Sequence, residues 1–151
     1  MNVVITGAAG GLGIEIAKQT LERNDNVWAF DIKKNLKIEE LEDSEYSDNL
    51  HFFECDISST EDVANKLKVL KNCITEIDEI YNCAGFIRPQ DRVPLEETDL
   101  DAIAKVVDIN AVGFLRIIKE LLPLIKKYNL TPVIYLCSQV VATNHPFWWK
   151  C

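Results

Sequence analysis

Thr6-Gly7-Ala8-Ala9-Gly10-Gly11-Leu12-Gly13 is the segment of this chain best suited to chemistry. It follows a short apolar run, Met1-Asn2-Val3-Val4-Ile5-Thr6, and passes straight into an amphipathic stretch that begins near Leu12. A strand that turns through glycines into a helix aims backbone N–H groups and the positive helix end at one point, where a diphosphate is held. In such a turn Gly7 permits the tight bend, Gly11 lets a pyrophosphate approach the backbone, and Gly13 lets the helix pack closely on the sheet. Asp31 ends the next apolar run, 18 residues after Gly13. An acid there accepts from both hydroxyls of an adenine ribose and repels a 2′-phosphate. The pattern therefore predicts a dinucleotide site that favours NAD over NADP, with Lys33 and Lys34 as the neighbours that pull toward the phosphate.

The elements that position these residues alternate along the chain. Residues 2–6 read as strand one, 12–23 as a helix with Leu12, Ile16, Ala17 and Leu21 on one face, and 27–31 as strand two. Asn24-Asp25-Asn26 breaks the first helix. Residues 33–48 are polar and in part helical, and 50–55 form strand three. Ser59 caps a helix through residue 72, with acids in its first turn. Residues 79–83 are strand four, and a loop with Gly85, Pro89 and Pro94 leads into one long helix over 99–127, distorted near its end by Pro123. Residues 132–138 are strand five. Continuous apolar strands alternating with helices imply a Rossmann-type, doubly wound parallel α/β sheet with right-handed crossovers and strand order 3-2-1-4-5.

The 151 residues suffice for one domain with a real core. A net charge of −8 argues against nucleic acid as a partner, because phosphate binding needs clustered Lys and Arg. No apolar run reaches the 18–20 residues or so that cross a bilayer, so no membrane partner is expected. The chain begins directly with a core strand, which predicts that no signal peptide precedes the fold. The five cysteines, Cys55, Cys73, Cys83, Cys137 and Cys151, lack zinc spacing and read as cytoplasmic thiols, three of them at apolar strands. No metal is expected.

Several motifs, in order, resemble the short-chain dehydrogenase/reductase family. Thr6 to Gly13 resembles its TGxxxGxG loop, and Cys55-Asp56-Ile57 its segment after strand three. Asn82-Cys83-Ala84-Gly85 resembles its NNAG motif, Asn110 in Asp108-Ile109-Asn110-Ala111 its helix asparagine, and Ser138 its catalytic serine. The glycine spacing is similar to that of the family's shorter branch. The resemblance implies that Thr6, Gly7, Gly11, Leu12 and Gly13 cradle the cofactor. It also implies that Asp56 and Ile57 contact the adenine, and that Asn82, Ala84 and Gly85 shape the nicotinamide-ribose side. It gives Asn110 a water in a proton relay and Ser138 a hydrogen bond to a substrate carbonyl. Each has a plainer reading: a turn cap for Asp56, a strand bridge for Asn82, a satisfied helix amide for Asn110 and a strand-end hydroxyl for Ser138.

The family's acid/base, Tyr in a YxxxK motif, has no counterpart here. Tyr46, Tyr81, Tyr128 and Tyr135 all lack Lys four residues on. A neighbouring cation is what lowers a phenol from near pKa 10 toward working pH. The sequence is thus expected to be a member truncated before that motif, with a domain over residues 1–139, an atypical tail over 140–151 and none of the family's later strands. Its expected parent activity is NAD(H)-dependent oxidoreduction of an alcohol or carbonyl substrate, weak or absent in this chain. The alternative is a non-enzymatic NAD-binding or protein-interaction module. Its candidate partner is a second copy meeting through the long helix or the strand-five edge, which lies exposed and apolar.

Overall fold

Apolar runs of four to six residues form the sheet, because strands buried on both faces need no polar alternation. The computed structural model describes residues 1–86, 94–126 and 133–136. Its strands are β1 (Asn2–Thr6), β2 (Asn26–Asp31), β3 (Leu50–Glu54), β4 (Glu79–Asn82) and β5 (Val133–Leu136). All pairs are parallel, in the order β3-β2-β1-β4-β5. The crossovers carry α1 (Gly11–Glu22), α2 (Leu36–Glu42), α3 (Thr60–Cys73), α4 (Leu100–Val107) and α5 (Phe114–Lys126). This is the doubly wound Rossmann-type fold that the apolar spacing predicts. Cys137, Ser138, His145 and the tail over 140–151 lie outside the described residues.

Alternate residues of β1 to β4 serve two cores. Val3, Ile5, Val27 and Ala29 pack with Ile14, Ala17 and Leu21 of α1 and with Ile38 and Leu41 of α2. Val4, Trp28, Phe30 and Ile80 pack on the other face with Val63, Leu67 and Leu70 of α3 and with Ile117, Leu121 and Leu124 of α5. Burying a Leu, Ile or Phe contributes about 1.5–3 kcal/mol each, so both layers bind the sheet firmly. Asn24 ends α1 in the left-handed region (φ 61°), a conformation that Asn tolerates better than most residues. Its N–H donates to the Leu21 carbonyl at 2.8 Å.

The helix expected over 99–127 is not one helix. Between α4 and α5 lies a widened π-helical turn, Asp108–Gly113, and a 3-10 turn at Leu95–Glu97 precedes α4. The wide turn accommodates two contacts that average helical periodicity does not reveal. Asn110 reaches the backbone of Phe86, and a Cβ at Gly113 would stand 2.9 Å from Ile57 Cδ1. The α5 helix itself continues through Pro123 to Lys126.

Two apolar surfaces remain open among the described residues. The β5 side chains are 40% to 73% exposed, and Leu100, Ile103 and Val107 of α4 and Leu115 of α5 are 39% to 69% exposed. No helix among the described residues is long and apolar enough to cross a membrane.

At the opposite end of the sheet from the glycine turn, Asp25 is the one buried charged residue among those described. Its carboxylate accepts from the Met1 ammonium at 2.8 Å and from Arg23 Nε at 2.9 Å, while Arg23 also donates to Glu79 at 3.1 Å. Burial pushes the Asp25 carboxyl up, but the two cations outweigh it and hold it below its ordinary 3.8. The folded carboxyl thus binds its proton less readily than the unfolded one. Its contribution is present above about pH 4 and is lost as pH falls through the lower folded value. Asp25→Asn is expected to cost about 1–3 kcal/mol near neutral pH by urea denaturation. The gap to the parent chain should close as pH falls through the lowered folded value, where Asp25 itself takes up its proton; a gap constant with pH would contradict the pairing.

Candidate dinucleotide site

The site begins where β1 ends. Gly7 adopts φ +66°, and a Cβ there would lie 2.5 Å from the Ala84 nitrogen and 2.6 Å from the Cys83 carbonyl carbon. No side chain fits between the two backbones. The Gly7 carbonyl accepts from the Gly10 N–H at 3.0 Å, which closes the turn. A Cβ at Gly13 would collide with that same carbonyl oxygen and stand 2.8 Å from Ala8 Cα, so α1 starts in contact with the turn. Gly11 is different: a Cβ there meets no heavy atom within 4 Å.

Three helices close their N-termini with side chains. Asn35 Oδ1 accepts from Ile38 N–H at 3.1 Å, Ser59 Oγ from Asp62 N–H at 3.2 Å, and Asp99 Oδ1 from the N–H groups of Asp101 and Ala102 at 3.0 and 3.2 Å. The α1 helix has neither a side-chain cap at Gly10 nor an acid in its first turn. No side chain therefore covers the positive end of its dipole, and a Cβ at Gly11 would stand in open space, an arrangement that leaves room for an anion. Leu12 is half-exposed in that first turn.

The opening follows from the topology. The chain winds outward from β1 to β3, then returns to β4 on the other side of β1, so crossovers diverge between β1 and β4 and leave a crevice at their carboxyl ends. A cavity of about 450 Å³ lies there. Gly7, Asp31, Asp56, Ile57, Ala84 and Gly85 all line it, together with Asn35, Phe86 and Ile109. It extends over the ends of β3, β2, β1 and β4, roughly 14 Å at ordinary strand spacing.

Hydrogen bonds fix its walls. Thr6 Oγ1 donates to the buried Asn82 Oδ1 at 2.6 Å and accepts from the Ala84 N–H at 3.4 Å, tying β1 to β4 just below the crevice. Asp31 accepts from the Ala9 N–H at 2.9 Å and from the Ile32 N–H at 2.7 Å. Asn35 Nδ2 donates to the Ala9 carbonyl at 2.7 Å, so both backbone groups of Ala9 are gripped by the segment after β2. Asp56 Oδ1 accepts from both the N–H and the hydroxyl of Ser58, at 2.9 and 2.7 Å, and its own N–H donates to Asp62 at 2.7 Å. Asp56 thus shapes the turn before α3 while lining the cavity. Burial, with Asp62 nearby, pushes the Cys55 thiol up to about 12, which keeps this wall neutral.

Asn110 stands at the far side of the crevice. Its Oδ1 accepts from the Phe86 N–H at 2.6 Å and its Nδ2 donates to the Phe86 carbonyl at 2.9 Å. Arg116 braces the wide turn, pairing with both Asp108 oxygens and donating to the Ile57 carbonyl at 3.2 Å. Ser138 lies outside the described residues, so its relation to Asn110 is not placed. The sequence reading missed Asn35, Phe86 and Arg116. Asn35 alone left a signal, a capping residue before an amphipathic stretch. No group of three or more His, Cys, Asp or Glu among the described residues is arranged to hold a metal.

A Rossmann fold with this crevice and motif order defines a nucleotide-dependent oxidoreductase class, and comparison with known proteins agrees. The family described as short chain dehydrogenase matches residues 1–149, and the chain belongs to that family. It is 30% identical over 115 residues to an uncharacterized oxidoreductase of Saccharomyces cerevisiae, covering 76% of this chain and 35% of that one. The closed form of a serine dehydrogenase complexed with NADP+ superposes with a TM-score of 0.79 at 24% identity, over 97% of this chain and 57% of that one. A short chain dehydrogenase from Leptospira borgpetersenii with bound NAD+ also gives 0.79, at 20% identity, over 98% and 55%. At these identities the two structures speak to the fold. The chain spans 35% to 48% of the length of the first curated relatives it matches.

The glycine geometry separates folding from binding. Gly13→Ala is expected to destabilise by about 1–3 kcal/mol through overpacking. Gly11→Ala, with open space around it, should leave the unfolding free energy from urea denaturation unchanged or raise it by up to about 1 kcal/mol. Equal losses in the two variants would contradict the packing described.

Proposed function

We propose that the chain binds NAD(H) across the carboxyl ends of β3, β2, β1 and β4, as the nucleotide half of an oxidoreductase acting on an alcohol or carbonyl. The observation that carries this reading is the uncapped start of α1, open at Gly11 and placed at the β1/β4 divergence. The donor set fits the group. Backbone N–H groups from Gly11, Leu12 and Gly13 meet the pyrophosphate. Asp31 meets the adenine-ribose hydroxyls, Asp56 and Ile57 flank the base, and Thr6, Asn82, Ala84 and Gly85 shape the second ribose. When bound, NAD(H) supplies or accepts a hydride. With both ends of its amide held by Phe86, Asn110 acts through position, fixing the backbone beside Gly85. Asp31 sets the preference for NAD over NADP by repelling a 2′-phosphate. Ser138 is the proposed hydrogen-bond donor to the substrate oxygen.

Catalysis by these 151 residues alone is proposed to be slow. They contain no Tyr followed four positions later by Lys, and loss of one general acid costs about 10²–10⁴ in rate. A second reading rests on the open faces of β5 and of α4 and α5: a binding module that docks a second copy of the chain there. It calls for a single discrete oligomer by light scattering.

Titration with NADH and NADPH, followed by Trp28 emission, tests the main reading. Saturable binding is expected, tighter for NADH. Gly11→Ala should fold normally and lose tenfold or more in affinity, about 1.4 kcal/mol or above. Absence of saturable binding by the folded parent chain would refute the proposal.

A further inference from the structure

Lys34 lines the cavity beside Asp31, where a cation would offset a 2′-phosphate, yet its charge is engaged elsewhere. Its ammonium donates to both carboxylate oxygens of Glu42, at 2.8 and 2.7 Å, and sits 5.5 Å from the Phe52 ring centroid. Glu42 lies in the last turn of α2, and the start of that helix is pinned by Asn35 to the glycine turn through the Ala9 carbonyl. The acid is therefore held at a fixed place relative to the ribose end of the cavity, on a helix whose inner face, Ile38 and Leu41, is buried.

We propose that Glu42 is a positioning residue for cofactor choice: by binding Lys34 it keeps that cation from the 2′-phosphate position next to Asp31. The inference rests on the dinucleotide reading above and adds to it a second determinant, one that touches no cofactor atom. A doubly charged phosphate near Asp31 needs a neighbouring cation within about 4 Å to be tolerated. Glu42 competes with the phosphate for the Lys34 ammonium, which it holds through both carboxylate oxygens. Lys33, next to it, also lines the cavity but is exposed, so Lys34 is the half-buried cation whose place Glu42 sets. A half-exposed ion pair has a modest strength, so the effect is a bias on the ratio of affinities and not an absolute block.

The test is the NADPH-to-NADH affinity ratio of the 151-residue chain, by Trp28 emission, for Glu42→Gln, Glu40→Gln and the double variant Glu42→Gln/Lys34→Gln. Glu42→Gln is expected to shift the ratio toward NADPH by roughly two- to fivefold. The gain should shrink as salt rises, since the freed charge is screened. Glu40→Gln, which removes one exposed charge from the same helix, should leave the ratio alone, and the double variant should return it to the parent value. A purely structural role for Glu42 would weaken both ligands together. An unchanged ratio, an equal gain in Glu40→Gln, or a gain that survives loss of Lys34 each overturns the inference while leaving dinucleotide binding intact. Failure of the parent chain to bind either dinucleotide overturns the underlying reading instead.

Discussion

The backbone at residue 7 is the constraint on which the site depends. Three stretches of main chain approach it: the start of α1 at Gly13, the turn at Gly10, and the Cys83–Ala84 segment beyond β4. None of these approaches leaves space for a Cβ at 7 or 13. Because α1 must start against the β1 turn, it begins directly after Ala9 and Gly10, which line the crevice. Because β4 must pass the same point, the segment that carries Ala84, Gly85 and Phe86 becomes the opposite wall. The buried Thr6–Asn82 hydrogen bond then locks the two sides at the level of the turn.

The wall on the ribose side is built as one piece with the floor. Asp31 accepts the Ala9 N–H and Asn35 donates to the Ala9 carbonyl, so Asp31 and the glycine turn cannot move independently. On the other side Asn110 does the same for Phe86, and Arg116 joins the wide turn to the Ile57 carbonyl. The cavity is framed by polar side chains that bond to backbone across elements, while its lining keeps a neutral thiol at Cys55.

Much of this was legible in the sequence. Burial on both faces makes the central strands β1 and β2 continuous apolar runs, and the alternation of apolar runs with helical stretches let the strands and their order be read from spacing. The glycine turn and Asp31 carry their chemistry in one short segment each. What periodicity does not contain is the local pitch of a helix. Residues 99–127 keep an overall helical repeat, yet the turn that carries Asn110 is widened, and its reason lies at Phe86 and Ile57, 24 and 53 residues earlier. The Lys34–Glu42 pair was equally hidden, since the two residues are eight apart and meet only because a loop turns into α2 between them. Asp56 shows a third limit. Its plain role in shaping a turn and its place in the cavity wall turn out to be held together by one side chain.

The missing cap on α1 has a thermodynamic consequence. A helix whose first N–H groups lack partners is an incomplete element until an anion completes it, so the ligand that fills the crevice is also part of what folds the chain. Binding to the folded state alone draws the unfolding equilibrium with it: at a hundred times the dissociation constant the added stability is about 2.7 kcal/mol. That is a large fraction of what an ordinary domain has in total. For a chain that binds as proposed above, the folded fraction would then track the concentration of that ligand, and a change in the ligand would be read as a change in resistance to unfolding.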